Sequence, residues 1–259
     1  MNFTIKEIKE KLQKEDVELN TEWFQELKKD KRKGIQQLIY QVEKKKEEDR
    51  LLKAQYKKMQ TYEMNLVSKG YQHIAGIDEV GRGPLAGPVV AASVILPNDC
   101  YIPRLNDSKK LSEKVREELY DVIMMKAISV GVGIVSATEI DELNILQATI
   151  KAMTRAIFDM EVKPDFILID ALELDIPVAQ KGIESGDSKS VSIAAGSVIA
   201  KVTRDRMMKE LAIRYPQYGF DQHMGYGTKQ HIDALEKYGP CPEHRRTFAP
   251  VRDMLPFFE

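Results

Sequence analysis

The sequence predicts an α/β domain built on a mixed sheet flanked by helices and preceded by an all-helical extension. Three observations carry this reading. Residues 1–69 contain no proline, a single glycine (Gly34) and dense Lys, Glu and Gln, which is helix composition, whereas short β-rich runs separated by helices follow from Gly70. Three strands joined by short connections and then helix-linked strands suggest an antiparallel meander at one side of a sheet and parallel strands at the other. Two of the apolar runs end in carboxylates, Asp78 and Asp170, and in open α/β sheets sites form outside the carboxyl ends of strands.

In the extension, Thr4 can cap a first helix in which Ile5, Ile8 and Leu12 recur at helical spacing, and Asn20 or Thr21 a second carrying Trp23, Phe24 and Leu27. A third, longer helix follows Gly34, with Leu38, Val42, Leu51, Leu52, Tyr56, Met59 and Met64 along it. The charged run at 44–50 breaks its apolar stripe, so it is not a sustained coiled coil. The basic clusters at 28–33 and 44–46 read either as phosphate contacts or as solvated helix faces balanced by Glu47, Glu48 and Asp49.

After Gly70, strands are expected near 74–78 and 88–96. Pro97 and Pro103 then lead to a polar tract at 105–111, and Ser112 caps an amphipathic helix with Val115, Leu119 and Val122 on one face. A third strand covers 128–136, followed by a short helix at 139–143 and a long one at 145–160 that Pro164 ends. The run at 165–170 is apolar up to its last residue, as a strand buried on both faces should be. A helix at 193–214, a Tyr-, Gly- and His-rich turn at 215–226 and a helix at 228–238 complete a domain assigned to 70–259 after an extension of 1–69.

At 259 residues and 43% hydrophobic content the chain can bury a proper core without a staple. Cys100 and Cys241 lack metal-site spacing and suit a reducing compartment. The charged N-terminus is no signal peptide, and no apolar run reaches the ~18 residues a membrane span needs, so a soluble, cytoplasmic monomer is expected. The net charge of −1 is unevenly spread: residues 1–70 carry 17 Lys and Arg against 13 Asp and Glu, leaving an acidic remainder. That remainder fits a domain that concentrates carboxylates around metal, with basic residues elsewhere meeting phosphate.

The informative stretch is 73–92. Ile74, Ala75 and Ile77 read as a buried strand that stops at adjacent acids, Asp78 and Glu79, followed by Gly81-Arg82-Gly83. Consecutive strand residues point to opposite faces, so the two acids converge on one object only if the chain bends there or the object bridges strand and loop. Without a cation, paired acids repel, which makes a divalent metal their natural partner. An isolated Asp-Glu pair is usually a solvated strand-to-turn junction, but here the chain climbs straight back into a second strand at Pro88. A phosphate-binding loop would need Gly-Lys-Ser/Thr or Gly-x-Gly-x-x-Gly after the strand, and acids stand there instead.

The run Asp78-Glu-Val-Gly-Arg-Gly-Pro-Leu-Ala-Gly-Pro-Val89 resembles the signature of bacterial type 2 ribonuclease H (ribonuclease HII), and five separated tracts agree in order over roughly 71–252. The resemblance implies a ribonuclease H-like fold with a mixed five-stranded sheet in which the strands ending at Asp78 and Asp170 are neighbours. It implies four catalytic and metal-binding carboxylates, Asp78, Glu79, Asp170 and Asp187, serving Mn²⁺ or Mg²⁺. Asp187 precedes Ser192-Ile-Ala-Ala-Gly-Ser197, the start of a small-residue helix able to pack tightly beside the site.

By the same resemblance Gly81, Arg82 and Gly83 read the 2′-hydroxyl at an RNA-to-DNA junction, and Tyr226 packs on the next deoxyribose, although Gly227 stands where relatives commonly have proline. Lys109, Lys110, Lys201, His244, Arg245 and Arg246 are candidate phosphate contacts. The implied activity is endonucleolytic cleavage 5′ to a ribonucleotide in RNA–DNA hybrids or in duplex DNA. The alternatives are a type III enzyme acting on long hybrids, which usually has glutamate at the fourth acidic position, lacks the tyrosine and has a sheet-containing N-terminal domain, or a non-catalytic binding module on the same fold.

Overall fold

The computed structural model describes residues 3–14, 19 and 21–257. The chain divides into two compact units, Met1–Gln55 and Tyr56–Glu259. The first holds helices α1 (Ile5–Lys14) and α2 (Glu22–Lys28) and most of α3 (Lys33–Met59). Thr4 and Thr21 accept from Glu7 N and Phe24 N respectively, as expected of caps, while Asn20 lies outside the described residues. Ile8, Phe24, Leu27, Ile35 and Ile39 form its core. In the first basic cluster Lys28, Lys29 and Arg32 pair with Glu43, Glu26 and Asp30, which favours the solvated-face reading there.

The second unit takes the end of α3 and a separate helix α4 (Thr61–Val67), where one continuous helix was expected. Its sheet comprises β1 (Ile74–Val80), β2 (Val89–Ile95), β3 (Ser129–Val135), β4 (Phe166–Asp170) and β5 (Ala179–Ile183), in the order β3-β2-β1-β4-β5. The β1–β2 and β2–β3 pairs are antiparallel; β1–β4 and β4–β5 are parallel. The meander and the parallel side thus fall where the sequence put them. The helices after β2 are α5 (Glu113–Lys126), α6 (Ala137–Leu143), α7 (Ile145–Asp159), α8 (Val191–Arg214), α9 (Phe220–His223), α10 (Lys229–Tyr238) and α11 (Val251–Met254).

The alternation of β2 shows why its apolar run is unbroken. Val90, Ala92 and Val94 pack with α8, whereas Val89, Ala91 and Ile95 pack with α7 on the other face. Both helices lie against the sheet at backbone contact. A Cβ on Gly76 would sit 2.0 Å from the Ser192 carbonyl carbon, and one on Gly133 would sit 1.9 Å from the Ala152 oxygen. On the outer side of β3, Val132 N donates to Asp159 of α7 at 2.9 Å and Ile134 O accepts from Arg155 at 2.6 Å. A third cluster, with Leu85, Met208, Tyr218, Phe220 and Leu235, joins the loop after β1 to the C-terminal helices. Among the described residues no helix is long and apolar enough to cross a membrane.

Candidate active site

Parallel pairing aligns Ile77 of β1 with Ile169 of β4, so Asp78 and Asp170 follow one residue further on, side by side at the carboxyl ends of the two central strands. β1 does not bend at its acids. It stays paired with β2 through Val80, and the turn comes at Gly81, whose φ of +96° is open to glycine. Glu79 therefore starts from the face opposite Asp78, at the end of the sheet. Asp187 lies in a single turn, Gly186–Ser188, between β5 and α8, and Gly186 N donates to Asp170 Oδ1 at 2.7 Å. Small residues bring α8 against the end of β1, where a Cβ on Gly196 would sit 3.3 Å from Asp78 N, and Asp78 Oδ1 accepts from Glu79 N at 2.7 Å.

These acids feel one another. Burial, then the charge of Glu79, raises Asp78 well above the usual carboxylate range, with Asp170 adding to the effect. Burial also raises Glu79, opposed by Arg82, whose Nη1 donates to Glu79 Oε1 at 3.3 Å, and reinforced by Asp170. Asp187 is raised by burial and by Asp107, a buried fifth acid that the sequence reading did not single out. Lys109 Nζ sits 3.6 Å from Asp187 Oδ2. Burial works against its charge, but Asp187, Asp78, Asp107 and Asp170 outweigh that and raise it.

The donors suit a hard divalent cation, being all carboxylate oxygens, and Glu79 Oε2 is buried with no hydrogen-bond partner. One oxygen each of Glu79, Asp170 and Asp187 is turned to Arg82, Gly186 N and Lys109. Accordingly, among the described residues no three acids already form a group set to hold an ion.

Beside the acids, Arg82 and Gly83 are exposed, and the Tyr226 ring, 46% exposed, approaches Gly83 to within 3.7 Å of where its Cβ would be. Lys110 is exposed and pairs with Asp107 at 3.7 Å; Arg246 is exposed too. Three expected phosphate contacts are corrected. Arg245 is fully buried and donates to the carbonyls of Gly81, Arg82 and Gly87. His244 is buried against His231, their Nε2 atoms 2.9 Å apart, and Lys201 is drawn to the buried Asp205 at 2.6 Å. Arg204, also fully buried, donates to Pro88 O, Met224 O and Ala86 O.

A family model described as Ribonuclease HII matches residues 75–251, and a second, Ribonuclease HII N-terminal domain, matches residues 4–67. The chain belongs to the ribonuclease HII family. Its helical extension, which the motif resemblance did not reach, is thus a family domain in its own right. Ribonuclease HII of Bacillus cytotoxicus is 57% identical over 253 residues, spanning 98% of this chain and 97% of that protein. The Geobacillus sp. (strain WCH70) ribonuclease HII is 54% identical over 253 residues, spanning 98% and 91%.

Among solved structures, ribonuclease H2 from Pyrococcus horikoshii OT3 superposes with a TM-score of 0.61 at 27% identity, covering 71% of this chain and 98% of that one. The ribonuclease HII in a PCNA complex from Archaeoglobus fulgidus gives 0.57 at 26%, covering 68% and 95%. Bst-RNase HIII in complex with Mn²⁺ shares the fold at a TM-score of 0.52 and 16% identity. Ribonuclease HII is a hydrolytic, metal-dependent nuclease family, and membership makes this chain a ribonuclease H endonuclease acting on RNA–DNA.

Proposed function

We propose that the chain cleaves the phosphodiester 5′ to a ribonucleotide, whether in an RNA–DNA hybrid or embedded singly in duplex DNA, leaving 3′-hydroxyl and 5′-phosphate ends. The observation that carries this reading is the placement of Asp78 beside Asp170 at adjacent strand ends, next to a Gly81–Gly83 loop whose Arg82 and Gly83 are exposed and whose Gly83 lies against the ring of Tyr226. Asp78, Glu79, Asp170 and Asp187 would hold Mg²⁺ or Mn²⁺. Two such ions, when bound, supply charge stabilisation to the attacking and leaving oxygens of an in-line displacement.

The protein's own groups do the rest. Gly186 N fixes Asp170, Glu79 N donates to Asp78, and Arg82 holds Glu79 until substrate competes for the guanidinium. Lys109 and Lys110 offer exposed ammonium groups to backbone phosphates, and Arg246 a guanidinium. The Gly81–Gly83 loop reads the 2′-hydroxyl, the one group that tells ribose from deoxyribose. Tyr226 reads the absence of a hydroxyl on the following sugar.

The test is cleavage of a duplex DNA carrying a single ribonucleotide, with Mg²⁺, with Mn²⁺ and with neither, mapped at nucleotide resolution. A cut on the 5′ side that requires a divalent ion is expected. Cleavage only of long hybrids, or a cut elsewhere, would defeat the proposal.

A further inference from the structure

Two arginines, Arg204 and Arg245, are fully buried, yet every hydrogen bond they make goes to a backbone carbonyl. A buried guanidinium is costly unless its donors are satisfied, so such an arrangement persists where the held backbone matters. Arg245 grips both limbs of the loop after β1, taking Gly81 O and Arg82 O on one side and Gly87 O on the other. Arg204 binds Pro88 O and Ala86 O at the far limb and, through Nη1, Met224 O at 2.9 Å in the turn that leads to Tyr226.

The peptide plane converts these bonds into a presentation. The Gly81–Arg82 and Arg82–Gly83 bonds are trans, so a carbonyl drawn inward turns the N–H of the next residue outward. The amides of Arg82 and Gly83 therefore face away from Arg245, on exposed residues, and among the described residues neither N–H donates to another group. Two successive outward amides, with the Arg245 guanidinium on the carbonyls behind them, make a donor site for an oxygen.

We infer that Arg245, braced by Arg204, is a positioning residue for substrate recognition: it holds the carbonyls of Gly81 and Arg82 inward and so presents the amides of Arg82 and Gly83 to the ribose hydroxyl. Arg204 sets the distance from those amides to the Tyr226 turn. Both tasks need a planar fork that reaches several carbonyls at once, which a lysine ammonium does not provide. This inference rests on the proposed reading of the Gly81–Gly83 loop.

The experiment compares binding, in EDTA, of a duplex with one ribonucleotide and of the same duplex in all-DNA form. Full-length protein and its Arg245→Lys variant are measured by fluorescence anisotropy. The full-length protein should prefer the ribonucleotide duplex, and Arg245→Lys should lose that preference about tenfold or more while binding the all-DNA duplex as before. A preference unchanged in the variant, or both affinities falling together with the melting temperature, overturns the inference alone. No preference in the full-length protein overturns the loop reading beneath it.

Should Arg245→Lys not fold, amide hydrogen exchange on the unaltered protein decides. Arg82 and Gly83 N–H should exchange fast when free and be protected by the ribonucleotide duplex but not by the all-DNA one. Absence of that protection overturns the loop reading, and the inference with it.

Discussion

Glu63 of α4 accepts the Ser190 hydroxyl and, at 3.0 Å, the Ser192 amide, locking the start of α8 three residues beyond Asp187. Its other oxygen is buried without a partner, and burial raises its pKa despite the opposing serine bonds. A residue ahead of the sheet thereby fixes the chain next to a candidate metal ligand.

Two truncations separate this helix from the rest of the extension. Deleting residues 1–55 should leave a cooperative melting transition and measurable cleavage. Deleting 1–68 also removes Tyr56, Met59, Glu63 and Leu66, all buried in the catalytic unit. Buried apolar side chains are worth about 2–5 kcal/mol each, so the longer deletion should lower the melting temperature by roughly 10 °C or more, or prevent folding. Identical melting curves for the two forms would contradict the role given to α4.

Asp170→Asn should lower turnover by ~10³-fold or more at saturating Mg²⁺ or Mn²⁺, in line with the several kcal/mol that a catalytic ion supplies. Asparagine keeps an acceptor for Gly186 N, so the melting temperature should hold. Near-normal turnover would remove Asp170 from the catalytic set.

Tyr226 is exposed and touches the loop rather than the core, so Tyr226→Ala should cost little stability. It should lose most activity on a single-ribonucleotide duplex while keeping proportionally more on a long RNA–DNA hybrid. A hydroxyl desolvated against the ring costs about 1–3 kcal/mol, and that is the discrimination at stake. Equal losses on both substrates, with a lower melting temperature, would make the ring structural.

His231 and His244 share a buried hydrogen bond, with His223 stacked on His231 and Cys241 beside His244. Burial lowers His231 to about 4 and His244, helped by His231, to about 3, from 6.5. Between those values and 6.5 the unfolded chain binds more protons than the folded one. The stability these residues contribute is therefore complete above pH 6.5 and is lost as the pH falls toward 3. Melting temperature against pH should drop across that window, and His231→Gln should flatten the drop. Parallel curves would exclude the pair as its source.

The strands visible in the sequence were those whose runs are buried on one or both faces. β5 was not located from its residues, because Ala179-Gln-Lys-Gly-Ile183 is a largely exposed edge strand without apolar alternation. The break between α3 and α4 at Gln60 has neither glycine nor proline to mark it, and the change in texture at Gly70 concealed that the chain already packs on the sheet domain from Tyr56. The acids were legible because an acid at the end of an apolar run is conspicuous. Arg245 and Lys201 were not: a basic residue reads as surface until its partners are known, and those of Arg245 lie more than 150 positions away. Asp107 had no signal beyond its place in a polar tract.

Asp159 and Arg155 occupy the outward N–H of Val132 and the outward carbonyl of Ile134, the groups through which β3 would pair with a further strand. A sheet whose outermost member is Val- and Ile-rich is otherwise a template for aggregation. The two side chains from α7 act as stoppers, taking up two of the groups with which another chain's strand would have to pair at this rim.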